Sequence, residues 1–148
     1  MMKKDRALLL VITAVLQIGC SPFGPDIATR SPTAEHVAFC QEIMYLDPSV
    51  KIDPQGFELI DWMDDFSRFK FVAHTDDISK LFLNPPVDTS IMKPSFKMDN
   101  NGQYRWWDPS SQCLTGAEYE LPNVKFMDVG YVDNEDGTLT VYIQWFET

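Results

Sequence analysis

The residues able to do chemistry are scattered along this 148-residue chain rather than gathered in one motif. Asp61, Asp64 and Asp65 cluster around Trp62, and Asp76 and Asp77 follow. Paired carboxylates can act as general acid and base, or cleave glycosides when about 5–9 Å apart. The same positions suit a turn and a helix N-terminus, where Asp is favoured for local reasons. His36 and His74 are the two histidines. A Ser-His-Asp or Cys-His site needs one of them beside a nucleophile, and no G-x-S-x-G occurs. His74 reads as a partly exposed structural residue at a strand end. The acidic run Asp133–Gly137 fails as a calcium loop: its Gly is fifth instead of sixth, and the twelfth position is Gln144 instead of Glu. A solvated hairpin turn is expected there. Trp106-Trp107-Asp108-Pro109 is the most unusual local feature. Neighbours on a strand point to opposite faces. One Trp can therefore fill the core while Trp107 lies outside to stack on a sugar or anchor a partner. The competing reading covers both, one by the core and one by the loop holding Cys113. Trp107, Asp64 and Asp65 are thus the candidate binding residues. No catalytic residue, metal set or cofactor is expected, and no P-loop or G-x-G-x-x-G is present.

The elements that would position these groups follow from periodicity. Ser31-Pro32 looks like an N-cap with Pro at the first helical position. Val37, Cys40 and Met44 then share one side of a helix running from Thr33 to about Leu46, closed by Asp47-Pro48. Asp53-Pro54-Gln55-Gly56 is a turn signal. Phe57–Trp62 and Phe66–His74 alternate and predict a hairpin turning near Met63-Asp64-Asp65. Thr75 caps a short helix with Ile78, Leu81 and Phe82 as its apolar stripe, stopped by Asn84-Pro85-Pro86. Asn100-Asn101-Gly102 predicts a tight turn between Phe96/Met98 and Tyr104/Trp106. Residues 108–122 read as a long loop. Val124–Val132 and Thr138–Phe146 are the clearest strands, joined by Asp133–Gly137 with a Gly at positive φ. The sum is an α+β domain: a small, mainly antiparallel sheet with one or two covering helices.

The N-terminus reads as an address. Met1–Arg6 is mostly basic, and Ala7–Leu16 is ten residues with only Thr13 polar. At ~1.5 Å per residue that run covers about half of a bilayer core, the length of a secretory h-region. Gln17-Ile18-Gly19-Cys20 follows. A small residue directly before Cys, after an apolar run, resembles the lipobox of bacterial lipoproteins. Gln17 departs from the Leu usual at that position, and Leu16 lies one place too early. The resemblance implies cleavage before Cys20 and acylation of its sulfur and new amino group. Several acyl chains anchor stably, at roughly 0.8 kcal/mol per buried methylene. In the Gram-negative members, Ser21 in place of Asp implies sorting to the outer membrane, facing the periplasm. An ordinary cleaved signal, with Cys20 free or paired, is the competing reading, and an uncleaved buried helix is another. The expected division is a signal peptide over residues 1–19, lipidated Cys20 and a tether to Pro32, and one domain over 33–148. The Pro-rich tether could reach at most ~40 Å.

With Cys20 acylated, Cys40 and Cys113 remain, an even number in an exported protein. A Cys40–Cys113 bridge would close a loop of about 73 residues and contribute roughly 4 kcal/mol. Two unrelated thiols are the alternative.

The formal charge is −10, and cleavage before Cys20 removes three basic residues and one acidic, taking it to −12. Nucleic acid needs a basic surface and is excluded as a partner. The 13% aromatic and 45% hydrophobic content excludes wholesale disorder. The series Leu46-Asp47-Pro48-Ser49, Asp64-Asp65, Arg68-Phe69-Lys70-Phe71, Leu81-Phe82, Trp106-Trp107-Asp108-Pro109 and Thr140–Trp145 is similar to a loose group of small bacterial lipoproteins. That resemblance implies no activity and carries over no catalytic residue. The expectation is an envelope lipoprotein, held to the membrane by its lipid, presenting a small acidic binding or support domain to a protein partner. Two rivals stand beside it. An inhibitor or immunity-type partner of another exported protein predicts a flat apolar patch near Trp107. An envelope hydrolase predicts a deep cleft lined by Asp61–Asp65 and His74.

Overall fold

The computed structural model describes residues 26–61, 64–100 and 102–148. The signal peptide, Cys20 and the first part of the tether lie outside the described residues, as do Trp62, Met63 and Asn101. The chain builds β1 (Ile27–Thr29), α1 (Ala34–Ile43), β2 (Ile52–Ile60), β3 (Phe66–Ala73), β4 (Lys93–Phe96), β5 (Leu114–Leu121), β6 (Lys125–Asp133) and β7 (Leu139–Glu147), with three single-turn 3-10 helices between. The strands form one antiparallel sheet in the order β1-β2-β3-β7-β6-β5-β4, the α+β class expected. Two hairpins, β2–β3 and β6–β7, meet at the β3–β7 ladder in the middle.

Alternation gives the sheet two different faces. On the first, Phe57, Phe69, Ile143, Val129 and Ala117 form one row across five strands. All are buried, with Phe71, Val141, Leu59, Trp145 and Met127 in adjoining rows. Helix α1 lies on this face through Cys40 and Met44, and the His36 ring stacks on Phe57 at 4.7 Å. The 75–92 segment adds Leu81, Phe82 and Val87 to the same core. It is tied to the end of α1 by backbone bonds from Asp47 N to Leu81 O (2.8 Å) and Leu83 N to Tyr45 O (2.8 Å). This is the helix face.

The second face carries a trough. Gly56, Lys70, Tyr142, Gly130 and Gly116 form a single row across β2-β3-β7-β6-β5. The 97–113 loop lays side chains into it, and a Cβ at Gly56 would collide with the Trp106 ring. One at Gly130 would lie 2.9 Å from Leu114 Cδ1. Met98, Trp106, Trp107, Leu114 and Tyr142 bury together there as a second, smaller core. Trp107 donates from Nε1 to Asp99 O at 3.1 Å. Asp108 accepts from Lys70 Nζ (2.8 Å) and Tyr142 Oη (2.9 Å), pinning the loop to the sheet. Burial works against the Asp108 charge, but the Lys70 and Tyr142 bonds outweigh it and hold the carboxyl below its ordinary range. This is the loop face.

Several expectations are corrected. The helix is capped by Thr33 rather than Ser31: the Thr33 side chain accepts from His36 N, and His36 Nδ1 accepts from Thr33 N. Ile27–Thr29, expected in the tether, pair with Leu59, Glu58 and Phe57. Asp53–Gly56 is a pairing irregularity inside β2 instead of a turn. Asn100–Gly102 joins no hairpin, since β4 pairs with β5 instead. Much of the expected 108–122 loop is β5. The hairpin at Asp133–Gly137 stands as expected, with Gly137 at φ 84°.

The Cys40–Cys113 bridge is also corrected, as both thiols are free. Cys40 sits in the helix-face core, and burial pushes its thiol up. Cys113 is exposed and leads into β5, four strands from the β2 residue on which α1 packs. At ~4.8 Å per strand that separation is roughly 19 Å, far beyond the reach of a disulfide.

Candidate functional site

The sequence-nominated residues do not converge. Trp107 is 1% exposed, so it offers no stacking surface. Asp64 is exposed, and Asp65 is half-buried at the end of the β2–β3 hairpin. His74 lies just past the far end of β3, about 30 Å away along the strand. There it meets Asp53 Oδ2 at 2.6 Å, a bond that lowers the Asp53 carboxyl. The Asp61–Asp65 and His74 pairing expected of a hydrolase therefore does not form. Asp77, in place of the expected Thr75, caps a 3-10 turn through Ser79 N. Asp133 and Asp136 accept from Glu135 N and Thr138 N within their own turn.

Two acidic concavities remain, one on each face, at the same end of the sheet. On the helix face, Asp61, Asp65, Glu147 and Lys125 rim a cleft of about 200 Å³ where α1 ceases to cover the strands. Phe39, Ile43, Leu59 and Trp145 complete its lining. Burial raises the Asp65 carboxyl, and hydrogen bonding and charge from Asp61, then the Glu147 charge, raise it further against Lys125. Lys125 lies 3.8 Å from Glu147, so this cleft holds its own counterion.

The loop-face site has none. Glu58, Arg68, Gln144, Asp128 and Glu118 form the row next to the glycine trough. Arg68 is the one cation of that row. Its Nη1 bonds the buried Glu58 at 2.7 Å, and its Nε donates to Gln144 Oε1 at 3.4 Å. That leaves Asp128 and Glu118, directly opposite each other on β6 and β5, with no cation of the described residues within ion-pair distance. Burial, and next the Glu118 charge, push the Asp128 carboxyl up to about 6. The following row is Ile60, Phe66, Phe146, Phe126 and Glu120. Its rings are half-buried, Phe126 stacking on Phe146 at 5.5 Å and Arg68 lying 4.4 Å over Phe66. Glu118, Glu120, Asp128, Phe126 and Phe146 line one open concavity of about 380 Å³.

A half-buried carboxylate, Asp128, facing an exposed one, Glu118, with no cation beside them among the described residues costs stability, and such arrangements concentrate at functional sites. This one suits a cation that brings an apolar stem: the charge meets Asp128, Glu118 and Glu120, while the stem lies on the phenyl rings. Sequence reasoning missed it because Glu118 was assigned to a loop. The available signal was the alternation of Ala117, Tyr119 and Leu121 with Glu118 and Glu120. In comparisons with known proteins, no family model, curated protein or solved structure matches this chain.

Proposed function

We propose that this chain is a lipid-anchored envelope protein whose domain docks a cationic segment of another exported protein on the open half of its loop face. One observation carries the reading: Asp128 and Glu118 face each other beside stacked phenyl rings with no counterion among the described residues. A Lys- or Arg-bearing partner would supply it. The acidic charge of −10, or −12 once the leader is removed, steers such a partner inward and repels anionic lipid. The anchor rests on the lipobox-like Gln17–Cys20, with Ser21 favouring the outer membrane in a two-membrane cell. An inhibitory or immunity-type pairing would use this same surface, since the patch it requires is supplied by Phe126 and Phe146 and not by Trp107.

Titration with a synthetic peptide of alternating Lys and Leu tests the docking. Binding to the wild-type domain should weaken by about tenfold or more in the Glu118→Gln/Asp128→Asn double variant, as expected when charge-assisted contacts are lost. Equal affinity for the two proteins would overturn the reading. Mass spectrometry of the mature N-terminus tests the anchor: an acylated Cys20 is expected, and an unmodified N-terminus would remove it.

A further inference from the structure

The opposite flank of the loop face has the opposite character. Ala28, Thr29 and Arg30 from the edge strand β1 face Tyr104, Arg105 and Trp106 from the covering loop across a concavity of about 280 Å³. Arg30 and Arg105 are both exposed, and neither makes an ion pair or side-chain hydrogen bond among the described residues. In so acidic a chain, two guanidiniums meeting at one concavity without carboxylate partners create a local reversal of charge. Two acids lie nearby: Glu58, which Arg68 neutralises, and Asp26, whose Oδ1 accepts from Asp61 N at 3.2 Å.

Between the arginines lies a fixed aromatic platform. Tyr104 and Trp106 stack with centroids 5.7 Å apart and planes 15° from parallel. Trp106 is 6% exposed and seated over Gly56, so the platform cannot slide. Tyr104 bonds the buried Glu58, which also holds Arg68. The half-exposed ring of Tyr104 gives a ligand a flat apolar surface. The third wall is β1, three residues long and, among the described residues, paired with β2 on one side alone. Its outer edge leaves backbone N–H and C=O groups for hydroxyl partners.

We infer that this concavity binds a carboxylated sugar, its ring stacked on Tyr104, its carboxylate held by Arg30 and Arg105, and its hydroxyls met by the β1 edge. Planar guanidiniums match a carboxylate in bidentate fashion, and sugar rings pack on aromatic faces. The inference is independent of the docking surface, which lies across the sheet on β5 and β6.

The test is a titration of the purified domain with glucuronate, glucose and inorganic phosphate at one ionic strength, read by intrinsic tryptophan fluorescence and calorimetry. Glucuronate should bind at least about tenfold more tightly than glucose or phosphate. The Arg30→Gln/Arg105→Gln variant should lose at least about tenfold in glucuronate affinity, with an unchanged far-ultraviolet spectrum. Tyr104→Leu should weaken glucuronate as well, while exposed Lys97→Gln leaves binding unchanged. Equal binding of glucuronate and glucose would overturn the role of the arginines. Phosphate binding as tight as glucuronate would overturn the sugar. Full affinity in the double arginine variant would overturn the site.

Discussion

The two faces of this sheet are built to different ends. The helix face is a closed hydrophobic core: α1 and the 75–92 segment cover rows of Phe, Leu, Val and Ile, and the acids appear only at its rim. The loop face is closed over one row alone, where Gly56 admits Trp106, Gly130 admits Leu114 and Met98, and Gly116 admits Phe96. The next two rows are left open, one polar and one aromatic. Stability is concentrated on the first face and surface chemistry on the second. A charge on the helix face would have no solvent to meet. The loop face can hold Asp128 charged at neutral pH, with its carboxyl raised only to about 6, because its outer half is wet.

The largest difference should appear on truncating a buried ring. Phe71→Ala on the helix face should cost about 4 kcal/mol, read as a fall in urea midpoint at unchanged slope. Half-buried Phe126→Ala on the open half of the loop face should cost about 1 kcal/mol or less. Equal losses would break the comparison.

Arg68→Met is next. It strands the Glu58 carboxylate, 3% exposed, without its partner. A loss of about 3 kcal/mol is expected at neutral pH, and Glu58→Gln/Arg68→Met together should recover much of it. A double variant no better than the single would show that the pair matters for packing rather than charge.

Asp128→Asn has the smallest effect and the opposite sign. Folding raises this carboxyl from 3.8 to about 6, so the folded chain binds the proton more tightly than the unfolded one. Stability should therefore fall as pH rises from about 4 to about 6 and stay lowered above that. Asn removes the penalty. After allowance for solvent screening, a gain on the order of 1 kcal/mol is expected at pH 7, vanishing at pH 4. Chemical denaturation at both pH values measures it. A gain of the same size at pH 4 would mean that the carboxylate charge is not its source.

Legibility in the sequence divided along similar lines. The β6–β7 hairpin could be read because alternation runs unbroken from Leu139 to Trp145 and the acidic turn carries Gly137. Strand β2 was read from Phe57 on, but Asp53-Pro54-Gln55-Gly56 has turn chemistry, which the sheet absorbs as an irregularity. Strand β5 was missed because Gly116, Ala117 and two Glu give it low strand propensity, and neighbouring strands supply the order instead. The fate of Trp106 depends on Gly56 lying beneath it in the sheet, a long-range approach that no local window contains. The acidic site was hidden for the same reason: Glu118 and Asp128 become neighbours only once β5 is paired to β6. The disulfide expectation rested on cysteine number, which says nothing of the three strands between.

The central claim is that the open half of the loop face is the docking surface, and its most direct test is amide chemical-shift mapping with the alternating Lys-Leu peptide. The account predicts shifts confined to residues 118–120, 126–128 and 144–146, with α1 and the Asp61–Asp65 cleft silent. Shifts centred on α1 or on Asp61–Asp65, or none at saturating peptide, would contradict it.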